Sequence, residues 1–507
     1  MSSPQASPTI VDADEPYGPT AFADTILRTS DNVHFYVLGN FLCYVSQFFR
    51  DLFDLNRGAA VEQNEKKGDY PVIPLLDDSA TLRLLLDLIH PRVTERWLDD
   101  VTLFWNVSKA AKKYCMDIIE GKLRARILTS ELINEEPFRI YVVATHLEWD
   151  DVADIAARKT SEKLKDLTYV DELQGISGAG FYRFMEYKLR CEASAQPQEE
   201  HLLTTAHIGT HRPDSSPPSA SENVPSDGLG CFRSSSTADL VLRSSDSIDF
   251  FITGALVRVV SSVFDEMFPL KEHETKDGWP VICVQESSRT LHPLLRIVYH
   301  DMDELDTEDW QLYRDIVLAV RKYKMASIER KLRKQVTASS LILNQSLRIY
   351  ILATMFGWKE VQKAAVLNML SQPLSEMAYI SELSLLTGAD LYRLVRFRFD
   401  CGDEACKVFE ADRSYLSLIA NGSCSNCGRS LNKCYNCGRT QLSQLPILSW
   451  KEKLKACPRW STITDYARNG LGHDAFSRDM KCVYSTEKLV EEAVSRVCSQ
   501  CYLLTLN

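Results

Sequence analysis

The chain lacks the features that would place it among membrane proteins, secreted proteins or common enzymes. No apolar run approaches the ~18–20 residues needed to span a bilayer. The first residues, MSSPQASPTIVDADEPYG, have neither the basic nor the apolar region of a secretory signal. A cytoplasmic or nuclear location is therefore expected. Also missing are GxxxxGK[ST], GxGxxG after a strand, GxSxG and HExxH. The ten histidines are scattered, with no spacing that suggests catalysis. Any catalysis would need carboxylates from remote segments, so no enzyme is expected. Excess positive charge is missing too: the net charge is −11, unlike a protein that holds nucleic acid by overall charge. The tail from Gly402 is mildly basic, with 14 Lys and Arg against 11 Asp and Glu. Cysteine is scarce at first, since ten of the 15 fall after Asp400. In a reducing compartment these are thiols or metal ligands rather than disulfides.

What is present is an internal repeat. Ala23-Asp24-Thr25-Ile26-Leu27-Arg28-Thr29-Ser30-Asp31 recurs as Ala238-Asp239-Leu240-Val241-Leu242-Arg243-Ser244-Ser245-Asp246, an offset of 215. The register then aligns Phe35 with Phe250, Gly39 with Gly254, Ser46 with Ser261 and Phe49 with Phe264. After a loop-length change the offset is 209, pairing Tyr70–Ile73 with Trp279–Ile282, Lys113-Tyr114 with Lys322-Tyr323, and Trp149 with Trp358. One further inserted residue sets it to 210, pairing Tyr182 with Tyr392 and Cys191 with Cys401.

Each copy reads alike. Thr25–Arg28 and Val33–Val37 flank a Ser-Asp-Asn turn, which predicts a hairpin. Phe41, Leu42, Val45, Phe48, Phe49, Leu52 and Phe53 keep helical spacing. Tyr70–Leu76 is a short strand whose prolines suggest a sheet edge. Asp78 or Ser79 and Asp99 or Asp100 are N-caps for two helices. From Asp117 to about Arg190 the pattern is helical.

These features set the expected boundaries: a disordered N-terminus (1–19), a first head (20–125) with a helical extension (126–192), and a Ser/Pro-rich disordered linker (193–235). A second head (236–334), its extension (335–405) and a cysteine-rich tail (406–507) follow. The linker spans on the order of 35 Å as a coil, enough for the heads to reach each other.

The run Ala238–Asp246 with Phe250, followed by Phe264-Asp265-Glu266-Met267-Phe268, resembles a BTB/POZ domain, as does Ala23–Phe35 with Ser46–Phe53. The helix at Ala111-Lys112-Lys113-Tyr114 is similar to the fungal branch, in which helices follow the core. The resemblance implies an α+β BTB/POZ-like head with an all-helical extension, duplicated in tandem. It also implies dimerisation and partner recruitment, in many members bridging a cullin-type ubiquitin ligase to a substrate. Leu38-Gly39 and Thr253-Gly254 stand where the family carries a His-Lys pair, so the pairing surface departs from the family's in both copies. The cullin-binding hydrophobic-x-Glu element has a counterpart at Leu270-Lys271-Glu272, while Leu55-Asn56-Arg57 lacks the glutamate; an exposed loop is the plainer alternative. Tethering favours pairing of the two heads within one chain, with self-association as the other outcome.

The tail carries Cys424-Ser425-Asn426-Cys427-Gly428, Cys434-Tyr435-Asn436-Cys437-Gly438 and, near its end, Cys498-Ser499-Gln500-Cys501. Two intervening residues let both thiolates of a pair reach one ion, giving tetrahedral zinc at about 2.3 Å. One zinc per chain is expected. Cys424/Cys427 join either Cys434/Cys437 or Cys498/Cys501, and the resemblance to fungal BTB proteins favours the latter. A second ion would need Cys457, Cys482 or His473. Ordinary reduced cysteines and a redox pair are the alternatives. The expected function is a protein-interaction scaffold or adaptor. The alternative is a BTB-containing transcription regulator whose zinc-bound tail, with Lys451, Lys453, Lys455 and Arg459, associates with DNA.

Overall fold

The computed structural model describes residues 10–55, 65–90, 100–193, 232, 238–267, 274–299, 305, 308–411, 447–459, 461 and 480–500. It is a mixed α+β chain that divides into two compact units, one built on the first copy and one on the second copy with the tail. No helix among the described residues is long and apolar enough to cross a membrane.

In the first copy a five-stranded sheet runs in the order Val11–Asp12, Val33–Val37, Thr25–Arg28, Tyr70–Pro74, Lys66–Lys67. The predicted hairpin is there, with Thr25 opposite Val37 and Arg28 opposite His34. Its turn places Asn32 at φ 62°, a region asparagine tolerates. Tyr70–Pro74 is not at the edge, as its prolines had suggested. It lies between Thr25–Arg28 and the two-residue strand Lys66–Lys67. The ladder survives because non-proline amides carry it: Val72 donates to Glu65 and Leu75 to Arg28.

The second copy repeats this sheet with four strands, ordered Asp249–Ile252, Leu240–Arg243, Trp279–Cys283, Thr275–Lys276. The helices follow in matching order, from Ser79–Asp87, Val101–Lys113 and Asp117–Ile127 against Ser288–Val298, Trp310–Lys322 and Ala326–Ala338. Asp78 caps the first of these by accepting from the Thr81 amide at 2.8 Å. Asp100 accepts from Thr102 and Leu103, and Asp309 from Gln311 and Leu312 at the same place in the second copy. Trp149, buried in the first extension, donates to Glu120 at 2.7 Å; Trp358 donates to Glu329 at 2.7 Å.

Five boundaries differ from the sequence expectation. Residues 10–19 belong to the first head: Val11–Asp12 joins the sheet, and Tyr17 is buried against Phe35. Phe232, inside the expected linker, is fully buried against Phe250. It stands 215 residues after Tyr17, so the repeat begins earlier than the sequence match did. The head–extension cuts at 125/126 and 334/335, and the tail boundary at 405/406, fall inside Asp117–Ile127, Ala326–Ala338 and Gly388–Ala411. Head and extension are thus joined through shared helices rather than a hinge.

Candidate functional site

The candidate interaction surface of each head is its first helix. Apolar spacing from Phe41 to Phe53 suggested one helix, but the structure breaks it at Ser46 into Gly39–Val45 and Gln47–Leu55. Ser46 is extended, with φ −143°, and its hydroxyl has two tasks. It accepts from the Phe49 amide at 3.1 Å, capping the next helix, and donates to the Tyr114 carbonyl at 2.6 Å. Ser261 does the same with Phe264 and Tyr323, at 3.1 and 2.6 Å.

At the other end the Gly39 amide donates to the Asp24 carboxylate at 2.6 Å, and the Gly254 amide to Asp239. A Cβ on Gly39 would lie 3.2 Å from that carboxylate oxygen, which accounts for glycine here in place of a larger residue. So fixed, the helix buries Leu42 and turns Tyr44 outward, 78% exposed, with Phe41 partly exposed beside it. In the second head Val257 is buried, while Val259 is 85% exposed beside Leu256. These are the same two positions. Lone exposed apolar residues are common on protein surfaces, whereas a clustered pair repeated in both copies is informative.

The second candidate site is where the tail is seated on the second module. Arg398, on the long helix Gly388–Ala411, is buried yet donates to two helix ends: to Met369 at 2.8 Å and to Ala456 at 2.6 Å. Burial holds the guanidinium below its usual pKa, opposed by the neighbouring Cys457 thiol. In the first copy the aligned residue is Lys188, which donates to the Thr160 carbonyl at 2.7 Å, at the end of the corresponding helix. A fork at 398 therefore makes the contact that Lys188 makes and adds one to the tail helix Ile447–Ala456. Gly402 admits that helix, because a Cβ there would lie 3.0 Å from the Lys455 carbonyl. The aligned residue is Glu192, whose carboxylate accepts from the Leu164 amide at 2.9 Å. Cys406 donates to the Lys451 carbonyl, and Leu454 is fully buried.

No family model matches this chain, and no curated protein matches it either.

Of the residues singled out in sequence, Leu270 and Glu272 lie outside the described residues, as do Cys424, Cys427, Cys434, Cys437 and Cys501. Cys498 is described. It sits in the helix Met480–Gln500 on the stripe formed by Val490, Ala493 and Val494, all buried. Burial pushes its thiol pKa up, with Lys363 opposing. Cys401, expected to be core, is fully buried. Among the described residues no group of three His, Cys, Asp or Glu is placed to hold a metal. Arg398, Gly402, Tyr17 and Phe232 were not singled out. The signal that could have found them lay in the aligned differences between copies, Lys188 against Arg398 and Glu192 against Gly402.

Proposed function

We propose that this chain is a non-enzymatic interaction scaffold, a tandem pair of BTB/POZ-like heads that pair and recruit other proteins. The observation that carries this is the exposed apolar pair on the first helix of each head, Phe41/Tyr44 and Leu256/Val259. An apolar pair held on a short, rigidly anchored helix is a surface for protein contact rather than for a small molecule. Because the heads are tethered, pairing within one chain is favoured over pairing between chains. A cullin scaffold is the partner class that the hydrophobic-x-Glu element at Leu270–Glu272 suggests. Zinc is the proposed cofactor, one ion per chain, held by Cys424 and Cys427 with either Cys434 and Cys437 or Cys498 and Cys501.

The test is co-purification of the intact chain with its partners from cells, identified by mass spectrometry, with zinc quantified on the same sample. A Tyr44→Glu and Val259→Glu variant is expected to lose bound proteins while keeping its fold by circular dichroism. Unchanged partners in that variant would remove the surface. Light scattering of the full chain separates intrachain from interchain pairing. A gel shift with random DNA that weakens steeply with salt would favour the DNA-associated regulator instead.

A further inference from the structure

The two heads differ at one sheet edge. In the first head that edge is covered by residues 10–17, which form a strap. The Val11 amide donates to the Asn32 carbonyl at 3.1 Å, and the Ala13 amide donates to His34 at 2.9 Å. The Tyr36 amide in turn donates to Tyr17 at 2.9 Å. Val11–Asp12 runs parallel to Val33–His34, with Asp12 opposite His34. Asp12 also accepts from Lys67 at 2.5 Å and from the Tyr36 hydroxyl at 3.3 Å.

In the second head Asp249–Ile252 ends the sheet, and no strand among the described residues pairs with its outer side. Phe251 is only partly buried where Tyr36 is buried. The residues that align with Ile10, Val11, Asp12 and Ala13 are Pro225, Ser226, Asp227 and Gly228. Proline, serine and glycine are poor strand formers in place of isoleucine, valine and alanine. The electrostatic role of the strap has moved as well. Asp249 replaces His34, accepts from Arg243 at 2.8 Å and pairs with Lys276, the counterpart of Lys67. The second head supplies from its own sheet the carboxylate that the first takes from its strap.

We infer that the outer edge of Asp249–Ile252 is a strand-addition site for an extended segment of a partner protein. The segment adds in parallel, in the register that Val11–Ala13 shows on the first head, with its amides on the Ser247 and Asp249 carbonyls. Its residue opposite Asp249 is neutral or basic, because an acid there would face an acid. This rests on the scaffold reading and narrows it to one surface and one partner class. Loss of co-purified proteins on the Tyr44→Glu and Val259→Glu variant bears on the first-helix surface, whereas the peptide experiment bears only on this edge.

The experiment uses the full chain and a fluorescent synthetic peptide copying its own residues 8–18, with Asp12→Lys. Saturable one-to-one binding by anisotropy is expected, weaker for the peptide that keeps aspartate. N-methylation of the peptide amide at Ala13 should weaken binding about tenfold, the worth of a lost edge hydrogen bond. Methylation at position 12, whose amide points away, should not. Hydrogen exchange should slow at Asp249–Ile252. Absent binding, indifference to methylation at Ala13, or slowing confined to Val33–Val37 would each overturn the inference. So would an edge already protected in the free chain, covered by residues 224–231 or by a second copy.

Discussion

The Ala456 carbonyl accepts a 2.6 Å hydrogen bond from Arg398, a residue whose counterpart in the first copy is a lysine committed to a single helix end. Together with glycine at 402 in place of Glu192, this difference between the copies shapes the second module to hold the tail helix.

Arg398→Lys should keep the bond to Met369 and lose the one to Ala456. Charge-assisted hydrogen bonds of this kind contribute about 1.5–3 kcal/mol. Exchange of the amides in Ile447–Ala456 should quicken by roughly 10- to 100-fold, with little change elsewhere in the second module. Unchanged exchange would show that apolar packing of Leu454 seats the tail without the arginine.

The helix ends at Glu148 and Gly357 offer an internal control. Both occupy the left-handed region, at φ 64° and 67°. A side chain there costs about 1–2 kcal/mol that glycine avoids. Glu148→Gly should therefore raise the melting temperature, since the exposed Lys112–Glu148 pair at 3.6 Å contributes little. Gly357→Ala should lower it by a similar amount.

Ser46→Ala and Ser261→Ala should each cost about 1–3 kcal/mol, because one removes a helix cap and leaves a buried carbonyl unsatisfied. Calorimetry of the full chain is expected to show an equal loss from either substitution. A large asymmetry would mean that the copies are not equivalently built around this serine.

Alkaline pH should destabilise the first extension through its buried phenols. Burial pushes the phenols of Tyr141 and Tyr182 up to about 12 from an ordinary 10. Because the folded value is the higher one, the unfolded chain ionises first. The stability these phenols contribute is intact below pH 10 and is lost as pH rises through 12. For the fully buried Tyr141 this is about 2–3 kcal/mol. Denaturant midpoints measured from pH 8 to 12 should fall only above 10, and Tyr141→Phe should flatten part of that fall.

Much of the fold was legible because it rests on local rules. The caps at Asp78 and Asp100, the hairpin turn at Asn32 and the duplicated register all declare themselves in short stretches. What stayed hidden depends on partners distant in sequence. Ser46 interrupts an unbroken apolar period only because Tyr114, 68 residues away, presents a carbonyl to it. Phe232 is a single aromatic in a polar segment, and only Phe250, His292 and Tyr299 make it a core residue. Tyr17, its counterpart, lies beside a buried Asp87 where the second copy has Arg296. Hydroxyl and carboxylate have thus been exchanged together, which no single position reveals. In the tail, the cysteine spacing was plain, but the seat at Arg398 and Gly402 is built by a helix to which no motif points.

Gly402 gives the chain a direction. The tail helix approaches to where a single added carbon would meet its backbone, and the matching site in the first module is filled by Glu192. The two modules are alike in architecture but not interchangeable in order. Moved behind the first, the tail helix would find a carboxylate where it needs an opening.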